Sequence, residues 1–256
     1  MRRYRAVVRL SVVACLFVTA SLSARTVRPS RAAPSDFLDV PGSLAANADG
    51  DVYVSFATDT ATSVMRRFSA DGAVLARWEV TRGDIVHYAV AEAADGGVYV
   101  AIRDHGLVRH YSKDGQQTAE WPVAGLKNAI AAAPGGGAAD SGVYVVTSVL
   151  GGGAAVLEYD PAGSLRASFA ADRSTYDLAV WPPGGANEAS VAVAEAARNQ
   201  YTGAFVSRHS LAGTWLDGWG EDGAIAGMDV DSATEALWLG VTDPVTTTRF
   251  IRTCRR

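Results

Sequence analysis

Cysteine is almost missing from this chain: Cys15 and Cys254 are the only two in 256 residues. A disulfide-stapled scaffold is therefore excluded. Histidine is nearly as scarce. His87, His105, His110 and His209 show neither His-x-His nor His-x-x-x-His spacing, so no zinc motif is written locally. There is no Gly-x-Ser-x-Gly elbow and no phosphate-binding Gly-x-x-x-x-Gly-Lys loop. The glycine runs Gly135–Gly137 and Gly151–Gly153 lack the lysine and helix that a phosphate loop needs. Acid is missing from the first 34 residues, which hold seven Arg; the rest carries 16 basic against 27 acidic residues. A body of that sign is a poor partner for nucleic acid or an anionic lipid surface. Disorder is excluded too, because 48% of the residues are hydrophobic and only 20% charged.

One uncharged apolar run exists, Leu10 to Leu22, behind Arg2, Arg3, Arg5 and Arg9 and ahead of Ser21, Ser23 and Ala24. Basic residues, a short apolar core and small residues in that order predict a secretory signal peptide over residues 1–24. The run is short of the ~20 residues of a spanning helix. The expected product is exported, secreted or periplasmic, with no membrane insertion once the signal is removed. Cleavage near Ala24 would leave Cys254 alone. Residues 25–35, rich in Arg, Pro, Ser and Ala, read as a flexible lead-in.

Residues 36–256 read as one domain that repeats itself. Gly72, Gly115, Gly163 and Gly213 each follow an aromatic or His by four residues: Phe68, Tyr111, Tyr159 and His209. Each precedes a large aromatic by six: Trp78, Trp121, Phe169 and Trp219. A second anchor keeps the same period. Val52-Tyr53-Val54, Val98-Tyr99-Val100 and Val143-Tyr144-Val145 are near-identical, with weaker copies at Val191-Ala192-Val193 and Leu237-Trp238-Leu239. A further apolar run, centred on Leu44, Val90, Ile130, Leu178 and Met228, precedes each of these. Val-, Tyr- and Trp-rich runs between Asp-Gly turns predict four short antiparallel strands per unit of about 45 residues. That is the pattern of a propeller blade, an all-β fold in which the repeated aromatics form the core between blades.

The stretch from Pro41 to Trp78, with Asp49-Gly50-Asp51-Val52-Tyr53-Val54 and Phe68-Ser69-Ala70-Asp71-Gly72 inside it, resembles an NHL repeat. His87–Trp121 and Lys127–Phe169 are further copies, Thr175–Trp219 is a degraded one, and Ile225–Arg252 keeps only three strands. The resemblance implies a β-propeller of about five blades, six being the alternative. Asp36–Val40, with Phe37 in place of the repeated aromatic, is expected to close the ring as the missing outer strand of the last blade.

The resemblance does not fix an activity, since such propellers include scaffolds, binding modules and a few lyases and hydrolases. The loops that converge on one face, and the channel beside them, supply the candidate ligand-binding residues His87, Tyr88, Arg103, Asp104, His105, Asn128, Tyr176, Asp177, Asn199 and Tyr201. Asp177 and His87 are the pair to watch for general acid–base work. The expected function is a non-catalytic binding or scaffold module for a protein, peptide or glycan. It is expected to be monomeric, without cofactor or metal. The alternative is a propeller lyase or hydrolase, similar to streptogramin lyases or lactonases, with its site at the central channel. If residues 1–24 are a cleaved signal, mass spectrometry of the exported protein finds an N-terminus between Ser21 and Pro34; an intact Met1 overturns it.

Overall fold

The computed structural model describes residues 40–58, 62–82, 88–133, 142–150, 152–171, 175–181, 189–196, 203–221, 223–231, 236–242 and 249–254. Among the described residues nineteen strands are arranged in five antiparallel sheets. Blade 1 contains β1 (Val40–Ala46), β2 (Val52–Ala57), β3 (Thr62–Phe68) and β4 (Val74–Arg82). Blade 2 contains β5 (Tyr88–Glu92), β6 (Val98–Ile102), β7 (Leu107–Tyr111) and β8 (Gln117–Pro122). Blade 3 contains β9 (Leu126–Ala132), β10 (Val143–Val149), β11 (Gly153–Tyr159) and β12 (Leu165–Ala171). Blade 4 contains β13 (Thr175–Trp181), β14 (Ser190–Ala196), β15 (Ala204–Ser210) and β16 (Trp215–Glu221). Blade 5 has three strands among the described residues: β17 (Ala224–Asp231), β18 (Ala236–Thr242) and β19 (Arg249–Cys254). Within each sheet the strands lie in sequence order, so every connection is a hairpin and each blade is built locally.

Burial runs from the inside of each blade outward. The second strands are buried on both faces: all five residues of β6 are, as are the first five of β10. The fourth strands are mostly exposed. A sheet apolar on both faces is stable only between two neighbours. The hydrophobic core accordingly consists of four clusters, each lying between successive blades. Tyr53, Met65 and Val80 meet Val98, Val100 and Tyr111; Tyr99, Val108 and Trp121 meet Ile130, Val145 and Tyr159. Ala131, Tyr144 and Val156 meet Leu178, Val191 and Val193; Ala192, Ala194 and Val206 meet Leu237 and Leu239. The inner strands β1, β5, β9, β13 and β17 pack in that order, and the packing is not repeated between β17 and β1. The described residues form five successive blades.

The glycine–aromatic template now has a cause. A methyl group at Gly115 would lie 2.6 Å from the Trp78 ring of the preceding blade. At Gly163 it would lie 2.7 Å from Trp121, and at Gly213 2.5 Å from Phe169. Each outer-strand ring lies flush against the next blade's turn, and only glycine allows that approach while holding φ near +85°. The indole N–H groups of Trp78, Trp121 and Trp219 are buried without a hydrogen-bond partner. Phe169 serves in the same place, so the site selects a flat ring and not a donor.

The expected closing strand is corrected in part. Val40 opens β1 and pairs with Ala57 of β2, so it belongs to an inner strand and not to the edge of blade 5. Residues 36–39 lie outside the described residues, as do the signal and lead-in.

Two comparisons follow. Trp121→Ala should cost about 3–5 kcal/mol and Trp121→Phe under about 1.5 kcal/mol in urea unfolding, because only the former empties the pocket. Gly115→Ala should cost clearly more than Gly72→Ala. Both face the roughly 1–2 kcal/mol penalty of a positive φ, but a methyl at Gly72 meets nothing within 4 Å. Equal losses at the two glycines would refute the flush-ring account.

Candidate functional site

Of the ten candidate residues, His87, Asn199 and Tyr201 lie outside the described residues. The other seven fall on two kinds of element. Tyr88, Asn128 and Tyr176 occupy one register position, two residues before the central Val90, Ile130 and Leu178 of inner strands β5, β9 and β13. The fold thus brings them to equivalent places on successive inner strands. Arg103, Asp104 and His105 form a single 3-10 turn between β6 and β7, closed by Gly106 at φ 61°. There the Arg103 guanidinium donates to Asp104 Oδ1, with Nη2 at 3.1 Å, and His105 is exposed.

Of these three side chains, Tyr88 is bonded to the neighbouring blade. The Tyr88 hydroxyl bonds Thr81 Oγ1, which anchors β5 to the outer strand of blade 1. Burial pushes the Tyr88 phenol up, and it does the same at Tyr176. Asn128 Oδ1 is buried without a hydrogen-bond partner.

Asp177 shows the strongest perturbation. Its Oδ1 accepts the Leu178 N–H at 2.9 Å, and its Oδ2 accepts the Met228 N–H of blade 5 at 2.6 Å. Burial of the carboxyl raises its pKa to about 7; the two N–H bonds work against the rise and the nearby Asp229 adds to it. An equivalent contact occurs three blades earlier. Ser43 holds the register position of Asp177, and its Oγ accepts the Val90 N–H at 3.2 Å. Val90 and Met228 are themselves equivalent. Asp177 is therefore the charged version of a staple between neighbouring inner strands. Glu92 is another: its Oε1 accepts the Ala48 N–H of blade 1 at 2.9 Å, and burial raises its pKa as well.

Sequence reasoning missed a second polar cluster, at the outer rim. His110 lies on β7, stacked on Tyr99 with centroids 4.5 Å apart. Thr118 Oγ1 is 2.8 Å from His110 Nδ1, and Asp95 Oδ1 is 3.3 Å from Nε2. These three and Glu120 line an open groove of about 540 Å³ against Pro161 and Ala162 of the blade 3 turn. Asp95 belongs to an Asp-Gly turn, and sequence alone gave it only a turn-forming role. In blade 1 the same cross-strand position holds Arg67, bonded to Asp51, so an acid–base pair beside the buried tyrosine is a recurrent edge feature. Among the described residues no three His, Cys, Asp or Glu side chains are grouped so as to hold a metal ion.

Above pH 7 Asp177 is ionised in the folded and the unfolded protein, and below about pH 4 it is protonated in both. Between these limits the native state holds a proton that the unfolded state has lost. Stability from this group therefore falls as pH rises from about 4 to about 7, by roughly 2–4 kcal/mol in all. Urea unfolding at pH 5 and pH 8 checks this. Asp177→Asn should remove that part of the slope, and an unchanged slope would show that the carboxyl is not buried as described.

No protein-family model matches the chain, and no curated protein does. Solved structures do. A streptogramin B lyase is 12% identical with a TM-score of 0.54, the match covering 84% of this chain and 64% of that one. Virginiamycin B lyase from Staphylococcus aureus is 14% identical, TM-score 0.54, covering 84% and 69%. BBS1N, solved in complex with ARL6DN, is 14% identical, TM-score 0.54, covering 90% and 67%. At such identities the likeness shows the β-propeller fold alone, and the chain spans about two thirds of the length of the propellers it matches.

Proposed function

We propose that this chain is an exported, non-catalytic binding module of NHL-like repeats, whose loop face and channel mouth capture a protein, peptide or glycan. The observation that carries this reading is the commitment of Asp177. Both of its oxygens accept backbone N–H groups, one of them across a blade boundary, as Ser43 does without any acid chemistry. Tyr88 is tied to the neighbouring blade through Thr81. Groups held so firmly shape a rigid rim, and the turn Arg103–His105, in which Asp104 and His105 are exposed, adds polar surface to the loop face. A propeller neighbour crystallised with a protein partner, BBS1N with ARL6DN, gives the reading a precedent in the fold.

The second reading is a lyase or hydrolase at the channel. One observation favours it: a carboxyl whose pKa is about 7 can give or take a proton at neutral pH. The two readings separate in one experiment. The secreted chain is probed on glycan and peptide arrays and assayed against lactones, simple esters and a streptogramin B. For the binding module, a retained ligand loses at least tenfold in affinity with Arg103→Ala plus His105→Ala and is unaffected by Asp177→Asn. Turnover abolished by Asp177→Asn, with the protein still folded, would establish the second reading instead.

A further inference from the structure

One cross-strand position recurs in the third strands of the first four blades. Arg67 stands opposite Tyr53, His110 opposite Tyr99, Glu158 opposite Tyr144 and Arg208 opposite Ala192. In three of the four this chain places a guanidinium there. Arg67 Nε donates to Asp51 Oδ2 at 2.9 Å, and its Nη1 crosses to the Lys113 carbonyl of blade 2 at 3.3 Å. Glu158 lies 3.9 Å from Arg166 Nη1, and Arg208 is paired with Asp217. Blade 2 is the exception: His110 holds the position, and Thr118 stands where blade 3 has Arg166, three residues after the turn glycine.

The exception keeps the acceptors of such a pair. Gly97 takes the place of Asp51, and a methyl group there would already lie 2.3 Å from the Tyr111 carbonyl. The carboxylate comes instead from Asp95, whose Oδ1 accepts the Gly97 N–H at 2.9 Å and lies 3.3 Å from His110 Nε2. Its Oδ2 has no partner among the described residues, and the side chain is 56% exposed. An imidazole is shorter than an arginine side chain. His110 bonds Asp95 and Thr118, and the groove of about 540 Å³ stays open between it and Pro161, which holds the turn position of Lys113. The other charges nearby have partners. Glu120 is held by Arg109 at 2.6 Å, and Lys113 Nζ turns to Asp49 of blade 1 at 3.8 Å. Asp160 Oδ1 accepts the Ala162 and Ser164 N–H groups of its own turn. Burial raises the Tyr99 phenol pKa, and Asp95 and Asp160 raise it further, which marks this wall as negative.

We propose that the rim groove between blades 2 and 3 is a binding site for a guanidinium group, which pairs with Asp95 and donates to the Pro161 carbonyl as Arg67 does to Asp51 and Lys113. The ligand is an arginine side chain of a polypeptide or a small guanidino compound. A guanidinium donates in several directions from one plane and so spans an acceptor on each wall, which a compact ammonium does not. Ala119, Pro161 and Ala162 offer apolar surface to the methylene stem. The groove is built by the β5–β6 and β11–β12 turns, at the end of the sheets opposite the β6–β7 turn Arg103–His105. It therefore does not depend on what the loop face binds.

The probes are the blocked peptide acetyl-Ala-Arg-Ala-amide and its citrulline and lysine counterparts, titrated into the isotope-labelled full chain and followed by NMR. The arginine peptide should shift the Gly97, Ala119 and Ala162 amide resonances together and saturably, with a Kd below about 10 mM. Citrulline, which keeps the shape and loses the charge, and lysine should each bind at least fivefold more weakly. Asp95→Asn keeps an acceptor for the Gly97 N–H and should weaken arginine binding at least fivefold. His110→Arg rebuilds the blade 1 arrangement from within and should abolish binding without lowering the melting temperature. Free arginine binding as tightly as the peptide supports the site with a small guanidino ligand, and weaker binding of free arginine supports it with a polypeptide. No saturable shift at the three amides, equal binding of citrulline, or binding that survives Asp95→Asn or His110→Arg overturns the proposal.

Discussion

The contact on which this architecture rests is a flat ring pressed on a bare glycine turn. A four-stranded sheet whose second strand is buried on both faces cannot stand in water by itself, so each blade depends on the next. The ring of Trp78, Trp121 or Phe169 fixes how closely the following blade approaches, and the glycine at 115, 163 or 213 makes that approach sterically possible. A Cβ on any of these turns would push two sheets apart along their outer half. Dispersion and burial then act over the whole interface, through clusters such as Tyr99, Trp121, Ile130 and Tyr159. The order of cause runs from ring and glycine to blade spacing, and from blade spacing to a core made of four separate layers.

Apolar layers fix spacing but leave blades free to slide, and polar bonds between neighbours set the register. The Tyr53 hydroxyl reaches the Gly96 carbonyl of blade 2 at 2.5 Å, and Glu92 reaches back to Ala48 of blade 1. Ser43 and Asp177 do the same for the inner strands of blades 1–2 and 4–5. Ala89 and Ala129 occupy that register position in blades 2 and 3 and carry no side-chain acceptor. A serine makes this staple at little electrostatic cost. An aspartate makes it only by burying a carboxyl, which is why its pKa climbs toward neutrality. The rise comes from the burial that blade packing imposes, and the bond across the blade boundary works against it.

What the sequence revealed and what it concealed follow from the range of the interactions involved. The blades were legible because hairpins are local: Asp-Gly turns, Val-Tyr-Val runs and the six-residue step from glycine to Trp all lie within one unit. The three-stranded fifth unit was legible for the same reason, since Ile225–Arg252 shows three runs and the sheet holds β17, β18 and β19. The role of Asp177 was not. Its partner is the backbone N–H of Met228, 51 residues away, and no side-chain pattern announces a main-chain donor. The Thr118–His110–Asp95 chain was hidden likewise, because the three residues come from an outer strand, a third strand and a turn that meet only after the hairpins pair. Of the expected closing segment Asp36–Val40, only Val40 lies among the described residues. Strand likelihood says nothing of which edge a strand joins, and Val40 pairs with Ala57.

Arg66 and Arg109 show how one residue type serves a covered face and an uncovered one. Their register is the same, opposite Val54 and Val100 in the second strand. Where a preceding blade is present, Arg109 extends to the Val80 carbonyl and holds Glu120 at 2.6 Å. Where none is present among the described residues, Arg66 folds over Phe56, which in turn meets Phe68 edge to face at 6.4 Å. A guanidinium loses little by lying on an aromatic face, because it is weakly hydrated and its charge meets the ring quadrupole. It shields apolar surface that would otherwise meet water directly and keeps a charge on the blade wall, which opposes edge-to-edge association. A leucine at that position would suit an interior blade and expose still more apolar surface on the first. The arginine suits both, so the same repeat serves on a face that a preceding blade covers and on one that no described blade covers.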